Sequence, residues 1–224
     1  MNFLSHFYNE LPCDDAYFAC GVLLPDILSN YSSRKGEVVK VHPDKLIDNN
    51  NVQFASLNSG IQKHYIADAF FHESGFFHEN TKTIEEIISK YDFSCFVKRI
   101  YAFSHVMLEI MLDRKLLTEN KKTCDDLYNL LDILDMTIIT DFIAFNTKAG
   151  NPADVAGHMN RFRKVRFIYD YTNDPVVIQI LNRINQRLGN PVFNATDIHN
   201  ITSVIHDFEK RLLSQKFPKF LPKS

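Results

Sequence analysis

Apolar residues along this chain recur at steps of three and four, and the strict polar/apolar alternation of a half-buried strand is absent throughout. The pattern predicts helices and little else. Asp14 and Asp15 can cap a helix through Tyr17, Phe18, Val22 and Leu23, which Pro25 should break, leaving Asp26 at or just past the break. Residues 29–51 are the least regular part, rich in Ser, Asn, Lys, Gly and Pro. A long helix is expected from about Val52 to His72, ended or kinked by Gly75. Thr83-Ile-Glu-Glu86 reads as a capping box opening a short helix to Tyr91. Asp92 can cap the next long helix, which runs to about Leu117. Thr123-Cys-Asp-Asp126 opens another, with Leu127, Leu130, Leu131, Leu134 and Ile138 on one face. Asn151-Pro152 and Asp174-Pro175 are favoured helix starts, and a last helix covers about Thr196 to Gln215. The expectation is an all-α, single-domain bundle over residues 1–224, with about eight helices and an irregular basic loop at about 31–51.

Composition narrows the class. Of 224 residues, 7 are Gly and 8 Pro, few for a sheet protein full of tight turns. A formal charge of −2 is no nucleic-acid signature. No run approaches the roughly 18 apolar residues that span a bilayer. The opening lacks the basic start and uninterrupted apolar run of a signal peptide. Cys13, Cys20, Cys95 and Cys124 are scattered, without metal-site spacing, and read as reduced thiols. These features place the chain in the cytoplasm.

Two stripes carry the candidate chemistry. His64, Asp68 and His72 lie four and four apart, and so do His105, Glu109 and Asp113. A four-residue step on an α-helix turns only about 40° from the starting direction, so each triplet shares one face. The residues between His105 and Asp113 are otherwise apolar, so that helix should be buried. Buried imidazoles and carboxylates are costly unless paired or bound to metal. Each residue alone reads as a satisfied core histidine or a surface carboxylate, but two matched triplets point to divalent metal. His64 and His72 are about 12 Å apart along the axis, too far for one ion, which favours two ions with Asp68 between them. Asp26, after an apolar run and a proline, is placed as a further ligand. Imidazoles favour Zn, Mn or Fe over Mg. Arg114, beside Asp113, and Arg166, in the cluster Arg161, Arg163, Lys164 and Arg166, are the candidates for holding a substrate phosphate. Arg34, Lys35, Lys40 and Lys45 make the irregular loop basic, like a mobile lid over an anionic substrate, although an ordinary solvated face has the same composition.

The opening Met-Asn-Phe-Leu-Ser-His-Phe, the stretch Gly-Val-Leu-Leu-Pro-Asp ending at Asp26, Gly-Ile-x-x-His64-x-x-x-Asp68, Glu109-Ile-Met-Leu-Asp113 and the terminal Phe208-Glu-Lys-Arg-Leu-Leu-Ser-Gln-Lys-Phe-Pro resemble, in order and spacing, the acyl carrier protein phosphodiesterases. That resemblance implies an all-α, HD-domain-like metal phosphohydrolase that removes the phosphopantetheine arm from holo acyl carrier protein. By position it carries over His6, Asp26, His64, Asp68 and Asp113. Three positions depart: His72 replaces an acidic residue, Glu109 an Asp, and Arg114 the His that follows the last Asp. The two triplets are also similar to the ligand pattern of zinc-dependent phospholipase C and the related single-strand nucleases.

Both resemblances imply hydrolysis of a phosphodiester by metal-activated water. The expected ligands are His64, Asp68, His72, His105, Glu109, Asp26 and Asp113. Asp26 or His6 would complete the metal shell or take the proton, and Asp68 would join two ions. Acyl carrier protein, being acidic, would dock on Arg34, Lys35 and Lys40. The rivals are a non-catalytic metal-binding protein and a purely structural bundle.

Overall fold

The computed structural model describes residues 1–219. Ten α-helices and two short 3-10 turns, with no strand among the described residues, make up the fold. The helices are α1 (Phe3–Asn9), α2 (Ala16–Lys35), α3 (Val52–Glu73), α4 (Gly75–Ile88), α5 (Ile100–Glu119), α6 (Lys121–Asp132), α7 (Met136–Asn146), α8 (Pro152–Val165), α9 (Asp174–Arg187) and α10 (Ala195–Leu213). The 3-10 turns are Pro43–Lys45 and Phe167–Thr172. Two more α-helices form than the apolar pattern predicts, because Phe3–Asn9 is helical and the apolar face after Thr123 is divided between α6 and α7. No described helix is long and apolar enough to cross a membrane.

Local chemistry explains most boundaries. The Asp15 carboxylate accepts from the amides of Tyr17 and Phe18 and starts α2. Asn51 caps α3 in the same way, through Gln53 and Phe54. Asn151 caps α8 ahead of Pro152, and Asn194 caps α10.

Three expectations are corrected. Pro25 does not end α2, which continues ten residues further to Lys35. An internal proline costs about 3 kcal/mol or more. Leu23, Leu24, Ile27, Leu28 and Tyr31, buried on both sides of it, each contribute about 1.5–3 kcal/mol. The start at Thr83 is also displaced. Ser74 caps α4 through the amide of Phe77, and the Thr83 hydroxyl bonds back to the Glu79 carbonyl inside the helix. Asp92 caps nothing in α5, which starts at Ile100. The segment before it is pinned outside the helix, with Ser94 bonded to Asp197 and the Lys98 amide bonded to Asn190.

The expected lid is largely an anchored connection. Residues 31–35 belong to α2. Val39 and Val41 are buried, and the Tyr65 hydroxyl donates to the Val41 carbonyl. Asn146 bonds both the amide and the carbonyl of Ile47.

The closest packing is between α2 and α3. A Cβ on Gly21 would fall on the Leu57 carbonyl, and one on Gly60 on the Phe18 carbonyl, both far inside van der Waals contact. Only glycine lets the two backbones approach this closely. Gly60→Ala should therefore force the helices apart and destabilise the protein by roughly 1–3 kcal/mol or more, as overpacking of a tight contact does. Chemical denaturation checks this, and unchanged stability would show that the crossing is not the constraint described here.

Candidate metal centre

Four helices present the ligand-bearing residues: His6 from α1, Asp26 from α2, His64, Asp68 and His72 from α3, and His105 and Glu109 from α5. They fall into two groups, His6–Asp26–His64 and His72–His105–Glu109. Within each group the candidate ligand atoms lie within 4.8 Å of one another.

In the first group, His6 Nε2 is 3.9 Å from Asp26 Oδ2, and His64 Nε2 is 4.0 Å from Asp26 Oδ1. The two rings stack with centroids 3.9 Å apart. His64 Nδ1 bonds the Val22 carbonyl at 2.8 Å, which fixes the ring and leaves Nε2 facing Asp26. His6 Nδ1 and Nε2 and Asp26 Oδ2 are buried, with no hydrogen-bond partner among the described residues. Buried polar atoms are nearly always paired, so these three point to something further that binds here.

In the second group, His72 Nε2 is 2.8 Å from His105 Nε2 and 3.8 Å from Glu109 Oε1, while His105 Nε2 is 2.9 Å from the same oxygen. Metal–ligand bonds of 2.0–2.2 Å place two donors on one ion roughly 3–4 Å apart. The second group spans that range and the first sits at its upper end. His72 Nδ1 is tied to the Asp68 carbonyl at 2.8 Å, again freeing Nε2 for the cluster. The chemistry of both donor sets fits a divalent transition metal.

Asp68 lies between the groups. Its Oδ1 is 3.8 Å from His6 Nε2 and its Oδ2 is 3.2 Å from His72 Nδ1. The α-amino group of Met1 sits here too, 2.8 Å from Asp68 Oδ1 and 3.1 Å from Glu109 Oε1. Burial opposes its charge, but Glu109, Asp68 and Asp26 raise its pKa to about 10.

Protonation follows from burial and these neighbours. Burial lowers His64 to about 4 and takes His6 well below the usual imidazole range, so both rings are neutral at neutral pH, as ligands must be. Burial pushes the Asp26 carboxyl well above the usual carboxylate range. Burial would also raise Asp68 and Glu109. The His72 hydrogen bond and the Met1 amine reverse this for Asp68, and the Met1 amine and His105 reverse it for Glu109, so both are held ionised.

Comparison with protein-family models, with curated proteins and with solved structures gives no match.

Three predicted site residues lie elsewhere. Asp113 is fully buried outside both groups, and its oxygens accept from the amides of Leu4 at 2.9 Å and Ser5 at 2.8 Å. It ties the amino end of α1 to α5 and so positions His6. Arg114 points away on the next residue, bonded to Glu209 at 2.7 Å and Asp174 at 2.6 Å, and fastens α5 to α9 and α10. Arg166 pairs with Asp132 and covers the Tyr128 ring. Neither arginine is free for a phosphate.

The basic residues near the centre are others. Asp26 and Glu109 line a cavity of about 780 Å³ that Arg34, His158, Arg161, Arg183 and Arg187 also line. Arg183 and Arg187 were not anticipated. The available signal was the stretch from Pro175 to Asn190, which has two arginines four apart and no acidic residue to pair with either.

Asp113→Ala removes the acceptor of two buried amides and should cost roughly 2–4 kcal/mol of stability. A positioning role predicts the same loss in chelator-treated and metal-supplemented protein, measured by denaturation. A loss seen only with metal would make Asp113 a ligand instead.

Proposed function

We propose that this chain is a metal-dependent phosphodiester hydrolase of the acyl carrier protein phosphodiesterase kind. One observation carries the reading: Asp26 from the first donor group and Glu109 from the second line the same cavity, so a phosphate entering it meets both groups. Divalent ions, when bound, supply Lewis acidity toward the phosphoryl oxygens and lower the pKa of a water. His6, His64 and Asp26 would hold one ion, and His72, His105 and Glu109 would hold the other. Asp68, ionised and lying between the groups, would offset the charge of both ions. His6 is held neutral by burial and serves as a ligand, not as an acid. Asp26 Oδ2, which has no hydrogen-bond partner among the described residues, would take the proton from the attacking water. Arg34 and Arg161, across the cavity, offset charge on the phosphoryl oxygens.

An acyl carrier protein would approach on the exposed Arg34 and Lys40, since Lys35 is committed to Asp154. Comparing holo acyl carrier protein with a phospholipid and an oligonucleotide separates this substrate from those of the phospholipase and nuclease pattern.

A second reading, a metal-free structural centre, is favoured by the Met1 amine, which by itself offsets charge on Asp68 and Glu109.

Asp68→Asn keeps the size of the side chain and removes the charge shared by the two groups. It should lower hydrolysis of bis-p-nitrophenyl phosphate by about 100-fold or more and release at least one metal equivalent, with the fold retained. A variant with full metal and full activity contradicts the two-ion reading. If only thermal stability falls, the structural reading holds.

A further inference from the structure

The cavity beside the donor groups holds more positive charge than a single phosphodiester needs. Its wall carries Arg34 from α2, Arg161 from α8, and Arg183 and Arg187 from α9. None of the four has a carboxylate within ion-pair distance among the described residues. Asp154, which feels the charge of Arg161, is already bonded to Lys35 and to the Tyr31 hydroxyl. Among the described residues, the carboxylates lining the cavity are Asp26 and Glu109, which belong to the donor groups.

Four like charges around one concavity repel one another and focus a positive potential into it. The pKa of His158, which lines the same cavity, is lowered first by burial and then by Arg34 and Arg161. The same lining includes the apolar side chains of Phe162, Phe167, Ile180 and Ile184. A volume of about 780 Å³ suits a small organic ligand.

We infer that the cavity takes a small organic bisphosphate, with one phosphoryl group at the Asp26 and Glu109 end, a second on Arg183 and Arg187, and the apolar part of the molecule against Phe162 and Phe167. Arginine suits this role because its planar guanidinium grips a phosphate through two parallel hydrogen bonds. The inference deepens the phosphodiesterase reading and rests on it for the ions that let a phosphoryl group approach Asp26 and Glu109; the binding itself requires no turnover.

The test is equilibrium binding to the full chain as purified, by calorimetry, with thymidine 3′,5′-bisphosphate against thymidine 5′-monophosphate. The bisphosphate should bind at least about tenfold tighter, which corresponds to about 1.4 kcal/mol. Arg183→Ala/Arg187→Ala should abolish that advantage while leaving the unfolding midpoint within a few degrees of the parent. Arg183→Lys/Arg187→Lys should restore part of it, since charge returns without the two-pronged grip. Equal affinity for the two nucleotides overturns the inference, and so does an advantage that survives the double alanine variant. Tighter binding of tetrathymidylate than of the bisphosphate also overturns it, in favour of a nucleic-acid groove. Full bisphosphate preference in a protein that hydrolyses no phosphodiester leaves the site standing and removes only the enzymatic reading.

Discussion

Backbone meets backbone where Gly21 of α2 lies against Leu57 and Gly60 of α3 lies against Phe18, and the candidate centre depends on that approach. His64 is one helical turn beyond Gly60 on the same stripe, so the short interhelical distance lets its Nδ1 reach the Val22 carbonyl. That bond orients Nε2 toward Asp26, one turn after Val22 on α2. Asp68 and His72 follow on the stripe and meet α5. The remaining ligand of the first group, His6, arrives on a seven-residue helix too short to be stable alone, held by the Asp113 carboxylate at its amino end.

Electrostatics works against this arrangement. Four histidines, three carboxylates and an amine share a mostly buried volume, and burial is the largest influence on the protonation of His6, Asp26, His64, Asp68 and Glu109. The second group and Asp68 are largely satisfied by one another and by Met1. The first group is not, and its unpartnered nitrogens and oxygen are the strongest structural argument for a bound cation. Arginines that pair with no carboxylate among the described residues line the adjoining cavity. Cation-seeking donors at one end of a cavity and anion-seeking guanidinium groups along its walls suit a metal–phosphate pair.

The helical class was legible because apolar period, caps and proline starts agreed along most of the chain. The two four-by-four stripes were legible for the same reason, since helical spacing alone puts His64, Asp68 and His72 on one face. What sequence did not reveal was which residues of different helices would meet. Asp113 continues the second stripe perfectly yet faces α1, because one further turn carries it past the site to the amides of Leu4 and Ser5. Arg114, adjacent in sequence to a site residue, points some 100° away around the helix and finds Glu209 and Asp174. Pro25 misled for a different reason: burial on both sides outweighed its missing hydrogen bond. Arg183 and Arg187 stayed hidden because an exposed basic pair looks the same on any helix until a cavity wall is seen beside it.

The central claim is that the two donor groups hold two divalent ions. Elemental analysis of wild-type protein, purified without chelator and with no tag that binds metal, tests it most directly. The account predicts close to two equivalents of zinc, manganese or iron per chain. Protein that stays free of transition metal, even after equilibration with each of these ions and desalting, would contradict it and leave the Met1 amine to offset Asp68 and Glu109.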